Sequence, residues 1–156
     1  MNLNFIKSSE KRRIIEKLKE QFGIQNLPYL LIKSGKEKIR AFSGHLSKEE
    51  IYQISHLTNI EVIGLYLLKE EDNVLRLSID AIHHLKDQIT ENIVKINHEQ
   101  LNEWLRGNNL EIQTKKGIVI IKNNEDFIGC GKSTGQKILN YVPKNRRLKN
   151  RADNIR

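Results

Sequence analysis

Short apolar runs separated by turn-forming residues fill the second half of the chain, and they restrict its fold more than any other feature. Glycine begins one run and interrupts another, Asn123-Asn124 separates a pair, and Pro143 ends the last. Runs of this length favour β-strands over helices. Several short strands with a single helix in about 60 residues are typical of a small closed β-barrel. The predicted strands are 93–96, 110–112, 117–122, 127–132 and 138–142.

One helix is predicted after the first of these strands. Asn97 caps it, Trp104 lies with two leucines on one face, and Gly107 stops it. We expect Trp104 to belong to the core and Gly107 to adopt a left-handed conformation. Arg106 and Gly107 are also candidate RNA contacts, because a glycine at a helix end lets a nucleotide approach the backbone closely.

The first part of the chain is predicted to be a small α/β domain. Its first helix is closed by Gly23, its second starts at a capping box on Ser47, and its third is capped by Asp80. Asp72-Asn73 turns a hairpin. The predicted strands are 29–32, 38–42, 60–68 and 74–79.

The fold class is therefore α+β, with a small α/β domain followed by a β-barrel. The predicted boundaries are 1–88 for the first domain and 89–148 for the second. Residues 149–156 lack apolar periodicity and are predicted to form a basic, flexible tail.

The positive charge of the chain lies almost entirely at its C-terminal end. Residues 132–156 contain eight basic side chains and one acid, which gives a net charge of +7. The other 131 residues contain 19 basic and 18 acidic side chains, which gives +1. Such a concentration attracts polyanions and makes their binding salt-dependent. It points to nucleic acid as the partner.

Cysteine usage and hydropathy indicate a cytoplasmic protein. Cys130 is the single cysteine, so an internal disulfide is impossible, as in proteins of a reducing compartment. The first residues carry charge without the long apolar core of a secretory signal. The longest apolar stretch, at 62–68, is far too short to cross a bilayer.

Residues 129–134, Gly-Cys-Gly-Lys-Ser-Thr, resemble the end of a phosphate-binding loop. Asp126 stands where that motif requires its leading glycine, and a carboxylate there would repel phosphate. Gly135 and Pro143 prevent the long helix that must follow. A nucleotide hydrolase is therefore the least favoured interpretation. We predict instead a glycine-marked strand where two backbones, or backbone and RNA, come close, with Lys132 as a phosphate contact.

A second polar cluster spans residues 140–147, Asn-Tyr-Val-Pro-Lys-Asn-Arg-Arg. Pro143 ends the strand, so the following charges extend from a rigid element. Lys144, Arg146 and Arg147 are predicted to neutralise phosphates, since arginine binds them bidentately. Asn140 is a candidate contact to a base or sugar. Tyr141 has two open interpretations: it stacks on a base, or it is an aromatic of the barrel core.

No catalytic constellation is recognisable. The five histidines do not pair with a cysteine at metal-ligand spacing, and none has a second histidine four residues away with a glutamate base. Cys130 stands between two glycines in a predicted strand, so we interpret it as structural. We expect no enzymatic activity, no metal and no cofactor.

The second domain resembles a PUA domain, specifically the PUA-like tail of Nop/Sun RNA cytosine methyltransferases. The resemblance is carried by Gly107, the strand at 117–121, residues 127–132, residues 140–144 and Arg146-Arg147. It implies RNA binding and nothing catalytic. A methyltransferase would need a cofactor-binding domain and an upstream catalytic cysteine, and residues 1–88 contain no cysteine. Any methyltransferase involved must then be a separate polypeptide.

The whole chain is also similar to nucleolar pre-60S assembly factors, which join a pre-PUA domain to a C-terminal PUA domain. Residues 75–82 resemble the last strand and helix of that first domain, whereas the basic tail replaces the ending expected for the family.

We therefore predict a protein that binds structured rRNA or tRNA in ribosome biogenesis or RNA modification. The alternative is an adaptor that docks on an RNA methyltransferase or a ribosome assembly protein.

Overall fold

The computed structural model describes residues 3–149. The chain divides into two compact units, Met1–Ile89 (the first unit) and Thr90–Arg156 (the second unit). Each unit contains helices and one sheet, so the fold is α+β as predicted. Apart from Lys149, the predicted flexible tail at 149–156 lies outside the described residues.

The first unit is built on a five-stranded antiparallel sheet whose strands lie in chain order. Asp72 and Asn73 have φ angles of 51° and 62°, as a tight turn between twisted strands requires, so the predicted hairpin is confirmed. The strands are β1 (Asn4–Phe5), β2 (Leu30–Ser34), β3 (Lys38–Phe42), β4 (Leu65–Glu71) and β5 (Val74–Leu77).

The strand predicted at 60–68 is wrong in its first half, because β4 begins only at Leu65. Gly64 has a φ of 69°, which takes the chain out of the extended conformation. The carbonyls of Ile63 and Gly64 accept hydrogen bonds from the Arg40 guanidinium, at 2.8 and 2.6 Å. The Arg40 side chain therefore satisfies backbone carbonyls that the sequence pattern had assigned to pairing between strands.

Three helices pack against this sheet: α1 (Ser8–Phe22), α2 (Lys48–Leu57) and α3 (Ile79–Leu85). Gly23 ends α1 with a φ of 79°, and the Ser47 capping box starts α2, both as predicted. The cap predicted at Asp80 is wrong. Ser78 caps α3 by accepting the Ala81 amide at 3.0 Å, while Asp80 is already helical.

The second unit has a four-stranded sheet: β6 (Ile93–Lys95), β7 (Gly117–Asn123), β8 (Asp126–Ser133) and β9 (Ile138–Asn140). Its helix α4 (His98–Leu105) joins β6 to β7, which run parallel. A helical crossover is what allows sequential strands to pair in parallel. The other neighbours are antiparallel.

Two strand predictions in this unit need correction. The strand at 110–112 is reduced to one bridge between Leu110 and Ile138. The strand at 138–142 ends at Asn140, because the Asn140 carboxamide takes the Val142 amide at 2.8 Å and turns the chain out of the sheet. Within residues 3–149, none of the helices combines the length and the hydropathy that a membrane span requires.

Candidate nucleic-acid interface

The candidate site is built around the C-terminal end of α4, which is anchored to the sheet of the second unit. At the other end of α4, the Asn97 and Gln100 side chains form a capping box with each other's backbone amides. Trp104 is fully buried, and its indole Nε1 donates to the Ile128 carbonyl at 3.3 Å. The prediction of Trp104 as a core residue is confirmed, and it holds the helix against β8.

Gly107 ends α4 in the left-handed conformation, with a φ of 92°. Its amide donates to the Trp104 carbonyl at 3.0 Å, and the Asn108 amide donates to the Glu103 carbonyl at 3.1 Å. These bonds satisfy carbonyls that a helix terminus would otherwise leave unpaired. The predicted conformation of Gly107 is therefore confirmed.

Gly131 on β8 lies close to both β9 and α4. A Cβ atom built there would be 2.7 Å from each of Ile138 Cγ2, the Leu139 carbonyl oxygen and Trp104 Cη2. Only glycine fits without displacing a backbone. The glycine-marked segment is thus a strand in close contact, as predicted. A phosphate-binding loop is not formed, since residues 129–133 pair with β7 and lie within β8.

The Asn140 side chain ties the end of α4 to the end of β9. Its Nδ2 donates to the carbonyls of Trp104, at 2.7 Å, and Asn108, at 2.9 Å. Its Oδ1 accepts the Val142 amide. Three hydrogen bonds within the unit give this side chain a positioning role, while its predicted contact to a base or sugar stays a prediction.

Arg147 lies directly on Gly107. A Cβ atom on Gly107 would be 2.5 Å from Arg147 Cδ and Nε and 2.7 Å from Cζ. The Arg147 Nε donates to the Val142 carbonyl at 2.9 Å, and the Leu148 amide donates to the Leu105 carbonyl at 2.8 Å. The basic segment is therefore bound back onto the helix end.

Between these anchors, the chain makes a short 3₁₀ turn at Lys144–Arg146, directly after Pro143. The Arg146 amide donates to the Pro143 carbonyl at 2.8 Å. Lys144 and Arg146 are exposed, and Arg147 is half-buried. The turn presents Lys144 and Arg146 from a backbone that is hydrogen-bonded within the turn and again at Leu148.

Tyr141 is half-buried, between the core residue Val142 and the Asn140 network. Both interpretations of its ring, base stacking and core packing, remain compatible with this position. Arg106 is the exposed residue that follows α4 and precedes Gly107.

Lys132 is the one predicted contact on β8, and the structure separates it from the others. It is exposed and paired with Leu139, whereas its neighbour Gly131 is paired with Asn140. Successive side chains in a strand leave on opposite faces. The Asn140 side chain points to α4, so Lys132 leaves the sheet on the other face.

Seven of the eight predicted residues thus lie at the end of α4 or in the segment 140–147: Arg106, Gly107, Asn140, Tyr141, Lys144, Arg146 and Arg147.

Sequence reasoning missed Asn108 and Asn109, which complete the site. The Asn108 carbonyl receives Asn140, and the Asn109 Oδ1 accepts the Asn140 amide at 3.0 Å. The sequence did contain a sign of this role, because two asparagines directly follow the helix-ending Gly107. Asparagine side chains commonly form hydrogen bonds with nearby backbone groups. Among residues 3–149, no three histidine, cysteine or acidic side chains are grouped so that they could hold a metal ion.

Residues 91–148 match the family model described as the methyltransferase RsmF PUA domain. The match spans the described part of the second unit from just before β6 to Leu148, and it confirms the resemblance to a methyltransferase PUA-like tail. The second unit is therefore a PUA domain, and the α+β architecture is consistent with a pre-PUA domain followed by a PUA domain. No curated protein matches the chain significantly.

Proposed function

Because the second unit is a PUA domain, we propose that this protein binds structured rRNA or tRNA through the end of α4 and the segment 140–147. It acts in the cytoplasm, in ribosome biogenesis or RNA modification. The observation that carries the proposal is the seating of Arg147 on Gly107. That contact holds a cationic turn in one place against the domain.

Binding rests on a division of roles. Lys144, Arg146 and Arg147 neutralise phosphates and supply affinity that is sensitive to salt. The shape of the surface around Gly107 supplies the preference for folded RNA, since structured RNA is recognised largely by shape. Asn140 keeps the two halves of the surface in register through its bonds to Trp104 and Asn108.

We also propose that the protein has no catalytic activity of its own. Cys130, the single thiol and the most nucleophilic candidate, is buried in β8 with 4% of its surface exposed. A buried thiol in a sheet is a poor nucleophile. In this proposal, any chemistry on the RNA belongs to a separate enzyme.

Replacing both arginines, Arg146→Ala with Arg147→Ala, tests the interface. We expect weaker RNA binding and a log Kd against log salt plot that is shallower by roughly 1.4–1.8, because each lost phosphate contact removes about 0.7–0.9 from the slope. Fluorescence anisotropy with a labelled rRNA or tRNA stem across a salt titration measures both quantities.

The matched control is Lys115→Ala with Lys116→Ala, which removes the same charge from exposed positions before β7. A second variant, Lys144→Ala with Arg146→Ala, leaves the Arg147 seat intact and guards against misfolding. The proposed interface is refuted if affinity and salt slope stay unchanged in both variants that replace Arg146. It is also refuted if they fall equally in the lysine control.

The second candidate function is an adaptor for an RNA methyltransferase or a ribosome assembly protein. One observation favours it: Leu57 and Val62 are 86% and 69% exposed around the end of α2. They are the two most exposed large apolar side chains among the described residues, and exposed apolar patches commonly mark protein contacts. A pull-down of a defined partner that survives nuclease and high salt, and is lost with Leu57→Ser, would favour the adaptor.

A further inference from the structure

One face of the first sheet is covered only in part. The opposite face carries α1, because Glu70 there accepts hydrogen bonds from Arg13 and Lys17. On the partly covered face, Ile51 of α2 packs against Ile32. Beside that covered part, the strand register places five further side chains on the same face, which together form the cationic face: Lys38, Arg40, Tyr66, Lys69 and Arg76.

Three of these cations form a row across β3, β4 and β5. Lys38 is paired with Lys69, and Lys69 is paired with Arg76. Directly paired residues of antiparallel strands share a face, and like charges at such positions destabilise the sheet. The stability of the sheet therefore does not explain the row, whereas a ligand of opposite charge would offset its cost.

Two acids bind the central cation of the row. Lys69 Nζ lies 3.0 Å from Glu37 Oε2 and 3.3 Å from Glu71 Oε2. Lys38 is exposed and forms no ion pair within residues 3–149, although Glu37 precedes it in the chain. Its ammonium lies instead over the Tyr66 ring, 5.5 Å from the centroid. Lys38 therefore presents its charge at the surface, next to an aromatic ring.

Arg40 and Tyr66 are the next pair on this face. Arg40 donates through Nε and Nη2 to the Ile63 and Gly64 carbonyls, at 2.8 and 2.6 Å. These bonds fix the guanidinium and use two of its five N–H donors, so others can bind a phosphate. Both side chains are half-buried.

The cationic face accounts for the net charge of the first unit. Its four cations and the two acids bound to Lys69 give +2. Residues 1–89 contain 14 basic and 12 acidic side chains, which also gives +2. The other charges of the unit therefore balance, and the excess is concentrated on one sheet face.

We propose that the cationic face is a second RNA contact, where Lys38, Arg40 and Arg76 bind phosphates and Tyr66 stacks on an unpaired base. This inference rests on the proposed function, since it takes RNA as the ligand, but it uses residues of the first unit only. RNA is favoured over an acidic protein segment because an aromatic ring lies among the cations. That combination is how proteins bind the backbone and bases of unpaired nucleotides.

Lys38→Ala with Arg76→Ala tests the phosphate contacts in the full chain. We expect the Kd for a labelled RNA hairpin with an unpaired loop to rise roughly tenfold at physiological salt, because two phosphate contacts are lost. The log Kd against log salt plot should become shallower by roughly 1.4–1.8, at about 0.7–0.9 for each contact. Fluorescence anisotropy across a salt titration measures both quantities.

Tyr66→Leu tests the stacking contact. It keeps every charge, so the Kd for the hairpin should rise about fivefold or more while the salt slope stays unchanged. A change of slope without a change of affinity would contradict the role of the ring.

The matched control is Arg12→Ala with Lys19→Ala, which removes the same two residue types from exposed positions of α1. Affinity and slope should stay unchanged. Lys38→Glu is a second variant, at an exposed position where misfolding is not expected, and it should also weaken binding. A ¹H–¹⁵N NMR spectrum of each variant without RNA shows whether the first unit is folded.

Three results would overturn the proposal: unchanged binding by both Lys38 variants, equal weakening by the α1 control, or binding of a polyglutamate peptide as tight as that of the hairpin. The last result would identify an acidic protein segment as the ligand of this face.

The two RNA contacts can fail independently. Arg146→Ala with Arg147→Ala removes its own part of the salt slope, and the losses should add when both pairs are replaced, because the pairs share no contacts. If only the Lys38 and Arg76 variant weakens binding, the PUA interface is wrong and the cationic face stands. If only the Arg146 and Arg147 variant does, the cationic face is wrong.

Discussion

Gly107 and Arg147 form the most informative pair of residues in the second unit. Each was predicted as an RNA contact by itself, but the structure makes them parts of one feature. Gly107 has a backbone conformation that other residues rarely adopt, and it leaves room for a guanidinium that a Cβ atom would meet at 2.5 Å. The glycine therefore allows the helix to end in the left-handed conformation and also leaves space for the Arg147 side chain.

Gly107→Ala is expected to destabilise the second unit by roughly 1–2 kcal/mol from backbone strain, with a further loss from the contact with Arg147. Chemical unfolding of Gly107→Ala, Arg147→Ala and the double variant measures the two parts. The double variant should be more stable than the sum of the singles predicts, because removing the arginine relieves the clash. Strict additivity would show that the two residues do not interact.

At the scale of the elements, a carboxylate connects the first sheet to its longest helix. Glu70 on β4 accepts hydrogen bonds from Arg13, at 2.6 and 2.9 Å, and from Lys17 at 2.8 Å, both on α1. The bonds from Arg13, supported by Lys17, lower the pKa of Glu70 to about 2. The link therefore joins two elements more than 50 positions apart, with separations of 57 and 53.

A depressed carboxyl pKa has a defined effect on stability. The contribution is complete above the ordinary glutamate pKa near 4.5 and is lost as the pH falls towards 2. Glu70→Gln should therefore cost roughly 1–2 kcal/mol at pH 7, and the difference from the original protein should vanish near pH 2. Thermal unfolding across this range measures it.

Glu16→Gln, at an exposed position of α1, is the control and should show little change at any pH. A difference between Glu70→Gln and the original protein that persisted undiminished at pH 2 would contradict the role assigned to this carboxylate.

At the scale of the whole molecule, the chain divides into two compact units between Ile89 and Thr90. Each has its own buried core, around Ile14, Leu18 and Phe22 in the first unit and around Trp104 and Ile120 in the second. The net charge is also unevenly distributed along the chain, because residues 132–156 carry +7 and the other residues only +1.

Expressed separately, fragments 1–89 and 90–156 should each fold, because each buries its own apolar side chains. We expect fragment 90–156 to retain salt-dependent binding to an RNA stem, because it contains the predicted phosphate contacts. NMR spectra of the fragments compared with that of the full chain check the folding. A collapsed, poorly dispersed spectrum for either fragment would contradict independent cores.

By itself, the sequence determined the features that depend on near neighbours. The Ser47 and Asn97 capping boxes, the left-handed Gly23 and the Asp72-Asn73 hairpin all follow from residues within a few positions of one another. The burial of Trp104 followed from helical periodicity in the same way. The PUA resemblance was readable because its motifs include glycines at positions where a side chain would clash, such as Gly107 and Gly131.

Only the tertiary structure decided how distant segments meet. Asn140 bonds to Trp104 across 36 positions, and Lys132 faces away from the other predicted contacts. A cavity in the first unit takes its walls from four separate segments between Tyr29 and His84. Periodicity assigns a residue to a face of its own element, but it does not specify which other element packs there, because that depends on the packing of all the elements together.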